Sequence, residues 1–462
     1  MKINRDVFDL VVGITILSIV VICAGTYVRS GGSEIFLVVS LAAVPTGLTL
    51  AAITYLLRKA DRRVELIWCS LVMILIRSLQ VWKVGIDFID ELGFIRISQT
   101  LFQEGRLLGY LKYYPVNIPF AGVFYALYTI WRNPEVFEVL AYMVYPLLVL
   151  GYYFMVKEIL KIKAVHRDFS NPAIPAIMFL PYAPTFVLIP TYYWPQLLGL
   201  IVLCFSFASL LHLTSCKSDK ARRWVIVVVA LAILLPFSHS ISTVLFLLTI
   251  LFFYFTMHDR TKRSTFLFVG AISFITFIVA HLDEYSSIIR RIILALFGDV
   301  SAWRYIERYS FPDIASVARR GPIVTLAHIG FYCVIGTLIL VQRTHALRVS
   351  KSRLSLEPNS FTNLLTSLFQ YLRSEPITFS FFGFGILSFV SAVSLGGNFL
   401  DPVRMLGWAS LLALPQVIPN KKANAVVFMV ILLGLFFLLV WTVYSPWGSP
   451  FGSSPNLNKN HS

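Results

Sequence analysis

Apolar runs of about 20 residues recur along almost the whole of this 462-residue chain, and each is long enough to cross a hydrocarbon core about 30 Å thick at about 1.5 Å per residue. A chain of this kind does not fold as a water-soluble globule. Hydrophobic residues make up 57% of it and charged residues only 13%, against about 25% charged in soluble domains, and the mean hydropathy is +0.77. The net charge of +16 therefore cannot coat a solvated, nucleic-acid-binding surface; it must be concentrated in the loops between spans.

The periodicity predicts an all-α, polytopic transmembrane bundle of 13 spans, at about 8–28, 35–57, 66–84, 136–156, 172–190, 194–213, 224–238, 241–257, 264–281, 321–341, 377–395, 403–418 and 424–444. The opening Met1-Lys2-Ile3-Asn4-Arg5-Asp6 has the basic character of a signal-peptide start. The apolar run behind it is longer than such a peptide needs and no small-x-small site follows, so it reads as an uncleaved first span. Residues 1–444 read as one transmembrane domain, and the Ser-, Pro-, Gly- and Asn-rich segment 445–462 as a disordered outer tail. The five cysteines show no metal spacing, and four of them lie in apolar runs as small hydrophobes.

Charge decides a fourteenth candidate, 116–131. If it crossed, the basic stretch Lys157, Lys161, Lys163 and Arg167 would face outward and every later basic loop would flip with it. Laid along the interface as an amphipathic juxtamembrane helix, with Tyr125, Tyr128 and Trp131 at the headgroup level, it leaves all strongly basic loops on one side. That side then holds 24 of the 39 cations with ten acids, and the other 14 cations with 13 acids; Arg77 stays inside the third span, where a bundle partner is expected. The assignment puts the N-terminus in the cytoplasm, the C-terminus outside, and the chain in the cell membrane. A basic loop at 342–376 lies inside, and long loops at 85–134 and 282–320 lie outside. Loops of that size usually carry function, so the outer face is where chemistry is expected.

At the mouth of the third span stands Gly85-Ile86-Asp87-Phe88-Ile89-Asp90-Glu91, continued by Ile97-Ser98, Gly105 and Tyr113-Tyr114-Pro115. Three carboxylates within five residues are costly to hold near lipid and mark either a charged site or a solvated loop start. Asp87 lies one turn before Asp90 if the segment is helical, so the two share a face.

This pattern resembles the first outer loop of membrane glycosyltransferases of the GT-C fold, above all protein O-mannosyltransferases and lipid A aminoarabinose transferases. There an Asp-Glu pair opens a juxtamembrane helix and a Pro-containing motif opens a second. The motif-level likeness is confined to about thirty residues. It implies an inverting transfer of a sugar from a dolichyl- or undecaprenyl-phosphate donor to a glycan, lipid or protein acceptor on the outer face. By position, Asp90 is the expected base and Glu91 the residue that positions the acceptor. In metal-using members such acids hold a cation, so Asp87, Asp90 and Glu91 are the candidates for Mg2+ or Mn2+, although nothing in the sequence requires one.

A lipid-phosphate leaving group needs fixed positive charge beside it, and an arginine fork can bind two phosphate oxygens. Arg404, in the stretch Gly396 to Arg404 at the start of the twelfth span, resembles the late arginine motif of the same transferases; its alternative is a salt bridge to Asp401. Arg290 and Arg291 on the second outer loop reach either the donor or lipid headgroups. Lys112 and Tyr114 flank the Pro115 motif, where Lys112 either snorkels or meets the phosphate. His239, in the Ser238-His239-Ser240 apex, forms a polar pocket or caps a helix end. Tyr192-Tyr193-Trp194 reads as an interfacial aromatic anchor.

No Walker A sequence, GxGxxG stretch or Trp-Trp-Asp motif appears, and no inverted repeat is visible. Two rival functions remain: a lipid-linked substrate carrier or flippase that makes no bond, and a glycan polymerase or ligase that takes a diphosphate-linked donor.

Overall fold

The computed structural model describes residues 136–162, 194–215, 218–281, 329–341, 375–394 and 402–417, with Arg290, Ile293, Leu294, Phe297 and Gly298 between them. Among these residues there is no strand. The helices are α1 (Val136–Ile162), α2 (Trp194–Ser215), α3 (Ser218–Ser238), α4 (Ser240–Thr256), α5 (Arg260–Ala280), α6 (Ile329–Val341), α7 (Pro376–Ser394) and α8 (Pro402–Val417). They coincide with eight of the expected spans. Segments Leu197–Ser215, Ala221–Ser238 and Arg260–Ala280 are long and apolar enough to cross a membrane. The expected spans 8–28, 35–57, 66–84, 172–190 and 424–444, the interfacial helix 116–131 and the tail 445–462 lie outside the described residues.

Several helices continue past the expected span ends. α1 runs to Ile162 although residues from Lys157 read as a basic loop; Lys161 donates to Glu158 one turn back, which favours the helix, and Lys and Glu are both good helix formers. α5 begins at Arg260 because the Asp259 carboxylate caps it, accepting from the backbone N–H of Thr261 at 2.9 Å and of Lys262 at 3.3 Å.

Apolar side chains occupy the surface of the described helices as well as their core. Ile226 (66% exposed), Ile275 (62%) and Phe389 (71%) stand on the surface of α3, α5 and α7, beside other exposed Val, Leu and Phe side chains. Large apolar side chains exposed in this number are stable against lipid and not against water. Within the core sit Ser and Thr hydroxyls, several of them donating to a carbonyl one turn back, as in Thr249 to Leu245 (2.7 Å) and Ser388 to Phe384 (2.7 Å).

α2 is the most enclosed of the three long apolar helices and packs between α1 and α3, with α4 also against it. An aromatic chain ties the bundle together: Trp408 on α8 meets Phe207 on α2, Phe207 meets Phe253 on α4 edge-on at 5.2 Å, and Phe253 stacks on Phe266 of α5 at 5.5 Å. The Trp408 Nε1–H donates to Thr249 Oγ1 at 2.9 Å, which settles the one polar atom of a fully buried indole. On α7, Gly385 lets α6 approach: a Cβ there would overlap the Tyr332 hydroxyl, which donates to the Phe381 carbonyl at 3.0 Å. Tyr152 on α1 donates to Leu411 O of α8 at 3.0 Å, and Thr378 at the start of α7 donates to Gln416 Oε1 near the end of α8 at 2.8 Å. These pairings set the helix directions, so that α1, α2, α4 and α8 run one way and α3, α5 and α7 the other. Two ends follow, named here for His239 and Glu158.

Candidate functional site

The turn between α3 and α4 is a single residue. Pro236 removes one helical N–H in the last turn of α3, the Ser238 hydroxyl donates back to the Leu234 carbonyl at 2.9 Å, and His239 then adopts an extended conformation (φ −166°, ψ 127°). α4 starts at once, because the His239 side chain caps it: the Ser242 N–H donates to Nδ1 at 3.2 Å, with Ser242 Oγ at 3.0 Å from the same nitrogen. In the neutral ring an accepting Nδ1 puts the proton on Nε2. Of the two expectations for His239, the structure shows the helix cap.

The turn is tightly enclosed. His239 is 7% exposed and Ser238 fully buried, and a Cβ built on Gly199 of α2 would overlap His239 Cβ and come within 2.8 Å of Ser242 Oγ. Glycine at 199 is therefore what lets the first turns of α2 lie against the His239 turn.

Two more basic residues reach this turn. His281, 3% exposed, ends α5; its backbone N–H donates to the Phe277 carbonyl at 3.1 Å and its ring lies 4.5 Å from that of Phe277. Arg404, half-buried, stands in the first turn of α8. Burial holds the His239 imidazole well below its ordinary value, and the charges of Arg404 and then of His281 push it the same way. His239 is accordingly a neutral hydrogen-bonding group at neutral pH. The N-termini of α2, α4 and α8 lie at this same end, and helix N-termini attract anions.

Of the residues expected from sequence, the structure brings Arg404 and His239 together. His281 was not among them, although a histidine closing the apolar run 264–281 just before a long outer loop was a usable signal. Arg290 is exposed on a helical residue beyond α5. Asp87, Asp90, Glu91, Lys112, Tyr114 and Arg291 lie outside the described residues, as do Asp401, Arg77 and the Tyr192-Tyr193 pair. Among the described residues no group of His, Cys, Asp and Glu is arranged to hold a metal ion.

The opposite end has its own polar set. Glu158 of α1 accepts through Oε1 from Lys161, and His212 Nδ1 of α2 lies 3.2 Å from the same oxygen. Trp224 of α3 packs on the His212 ring at 4.4 Å. Arg263 lies over the Tyr254 ring at 4.5 Å.

No protein-family model and no curated protein matches the chain. Its function has to be argued from these residues.

Proposed function

We propose that this protein is a GT-C-like membrane glycosyltransferase, transferring a sugar from a polyprenyl-phosphate donor to a glycan, lipid or protein acceptor at the His239 end of the bundle. The observation that supports it is that Arg404 and His281 lie within electrostatic reach of a buried, neutral His239, at the end of the bundle where α1, α2, α4 and α8 begin. An anionic leaving group is what such a set stabilises. In the positive-inside assignment this is the outer end, the same side as the Asp87-Asp90-Glu91 segment.

In the reaction, the acceptor hydroxyl oxygen attacks the anomeric carbon and its proton passes to the Asp90 carboxylate. The bond from that carbon to the phosphate oxygen breaks, and polyprenyl phosphate leaves with the electron pair. Arg404 takes the phosphate oxygens on its planar fork as the sugar departs, and His239 offers the Nε2–H as a neutral donor beside it. Glu91 orients the acceptor.

The test is release of free polyprenyl phosphate by purified full-length protein in proteoliposomes, supplied with labelled polyprenyl-phosphate sugars and a membrane acceptor fraction. Wild type is expected to release it and Asp90→Asn to lose transfer while still folding. Turnover by Asp90→Asn at the wild-type rate would sink the assignment. Donor crossing the bilayer without release would make the protein a carrier, and release from diphosphate donors alone a polymerase or ligase.

A further inference from the structure

At the Glu158 end, α1, α2 and α3 line a half-open cavity of about 700 Å³, within the range of sites that hold a small amphiphile. Its walls follow helical spacing: Phe154, Lys157, Glu158 and Lys161 on α1, Phe205, Ala208, Ser209 and His212 on α2, and residues of α3 from Trp224 to Leu231. The small side chains of Ala208 and Ser209 make the floor, and the 66% exposed Ile226 marks where the cavity opens sideways at the apolar surface.

The lining is graded along the helix axis. Phe154, Phe205 and Leu231 form the deep part, while Lys161, His212 and Trp224 stand roughly 10 Å nearer the helix ends, seven residues at about 1.5 Å each. This is the polarity gradient of a lipid monolayer, and the positive-inside assignment puts it at the cytoplasmic leaflet, where anionic lipids are enriched. Charge selects among lipids. Lys157 and Lys161 lie one turn apart and are exposed, whereas Glu158, the one acid among the described lining residues, is already engaged through Oε1 with Lys161 and His212.

One atom asks for a further partner. Glu158 lines the cavity with its side chain 8% exposed, and its Oε2, itself buried just behind that lining, has no hydrogen-bond partner among the described residues. A buried carboxylate oxygen left in this way is costly, and a hydroxyl donor would satisfy it.

We infer that this cavity binds one anionic glycerophospholipid of the cytoplasmic leaflet, an acyl chain lying over Ala208 and Ser209, the phosphate at Lys157 and Lys161, and a headgroup hydroxyl donating to Glu158 Oε2. The inference rests on the membrane orientation and not on glycosyl transfer, so the two stand or fall separately.

The test titrates the full-length protein in detergent with phosphatidylinositol, phosphatidic acid or phosphatidylcholine of identical chains, and counts retained lipids by native mass spectrometry. One tightly held phosphatidylinositol is expected, retained above phosphatidylcholine. Lys157→Gln, an exposed position, should weaken it about fivefold, as removing one surface cation near an anionic lipid does. Ala208→Leu should abolish retention by filling the floor with Lys157 still present. Phosphatidic acid, lacking the headgroup hydroxyl, should bind more weakly than phosphatidylinositol. Equal retention of phosphatidylinositol and phosphatidylcholine would overturn the inference, as would an unchanged affinity in both variants. Phosphatidic acid binding as tightly as phosphatidylinositol would overturn the role of Glu158.

Discussion

At the Glu158 end one nearly buried carboxylate gathers Lys161 and His212, whereas at the His239 end Arg404, His281 and His239 act on one another from α8, α5 and the α3–α4 turn. The first arrangement carries its own counter-charge and needs no ligand to account for the pairing. The second sets Arg404 and His281 within electrostatic reach of a buried, neutral His239, so that a phosphate placed there would meet the Arg404 charge. The contrast explains why the His239 end is the better candidate for chemistry on a phosphate, and why the Glu158 end is the better candidate for structural or lipid-binding roles.

The largest expected effect tests that contrast directly. Arg404→Gln removes the fork but keeps a polar side chain of similar length, and should lower sugar transfer by about 100-fold or more, the range found when a donor to a developing anion is deleted. The melting temperature in detergent should move little. A variant that transfers at the wild-type rate would show that the basic grouping has nothing to do with the leaving group.

Next comes the close approach at Gly199. Gly199→Ala puts a methyl group into His239 Cβ, and relief requires the turn or α2 to shift. Overpacking of this kind costs about 1–3 kcal/mol. Both stability and transfer should fall together, because the same turn places the His239 ring within electrostatic reach of Arg404. Loss of stability with transfer per folded molecule unchanged would uncouple the turn from the site.

A smaller effect is expected at the other end. Thr378→Val removes the donor to Gln416 Oε1 and should cost about 0.6–1 kcal/mol, typical of polar pairs between helices in membranes. Transfer per folded molecule should be unchanged. A fall in transfer matching that of Arg404→Gln would mean that the two ends are not separable.

What was legible in the sequence follows the same division. Apolar period and length were enough to find α2 to α5, and Pro236-Phe237-Ser238-His239 was enough to find the break between α3 and α4, because proline and a lone polar apex act through local backbone chemistry. Helix ends outside the apolar part were not legible. Hydropathy reads Lys157 to Lys161 as loop, while the Glu158–Lys161 pair keeps it helical, and residues 218–223 of α3 are helical for all their charge. Arg404 and His239 were each visible alone as polar residues at span ends. Their meeting with His281 was not, because it depends on how α5 and α8 pack around the turn and on the missing side chain at Gly199. The Glu158 cavity was hidden for the same reason: it needs three helices and two small residues on one face.

The smallest effect is the pH dependence of stability, and its sign follows from the lowered proton affinity of His239. The folded protein holds the ring neutral through burial first, then the charges of Arg404 and His281, while the unfolded chain protonates it near pH 6.5. The unfolded state therefore binds the extra proton. The stabilisation is fully present above about pH 6.5 and is lost as the pH falls from there through the folded value. Melting should consequently be lower at about pH 5.5 than at about pH 7.5. His239→Gln keeps an acceptor for the Ser242 N–H but does not titrate, so it should flatten the profile; identical profiles for wild type and variant would show that His239 is not buried neutral. A bound phosphate sharpens the prediction, because its negative charge offsets Arg404 and His281 and raises the proton affinity of the ring. Wild type loaded with polyprenyl phosphate should thus lose less stability on acidification than wild type alone, and His239→Gln should show no such ligand-dependent difference.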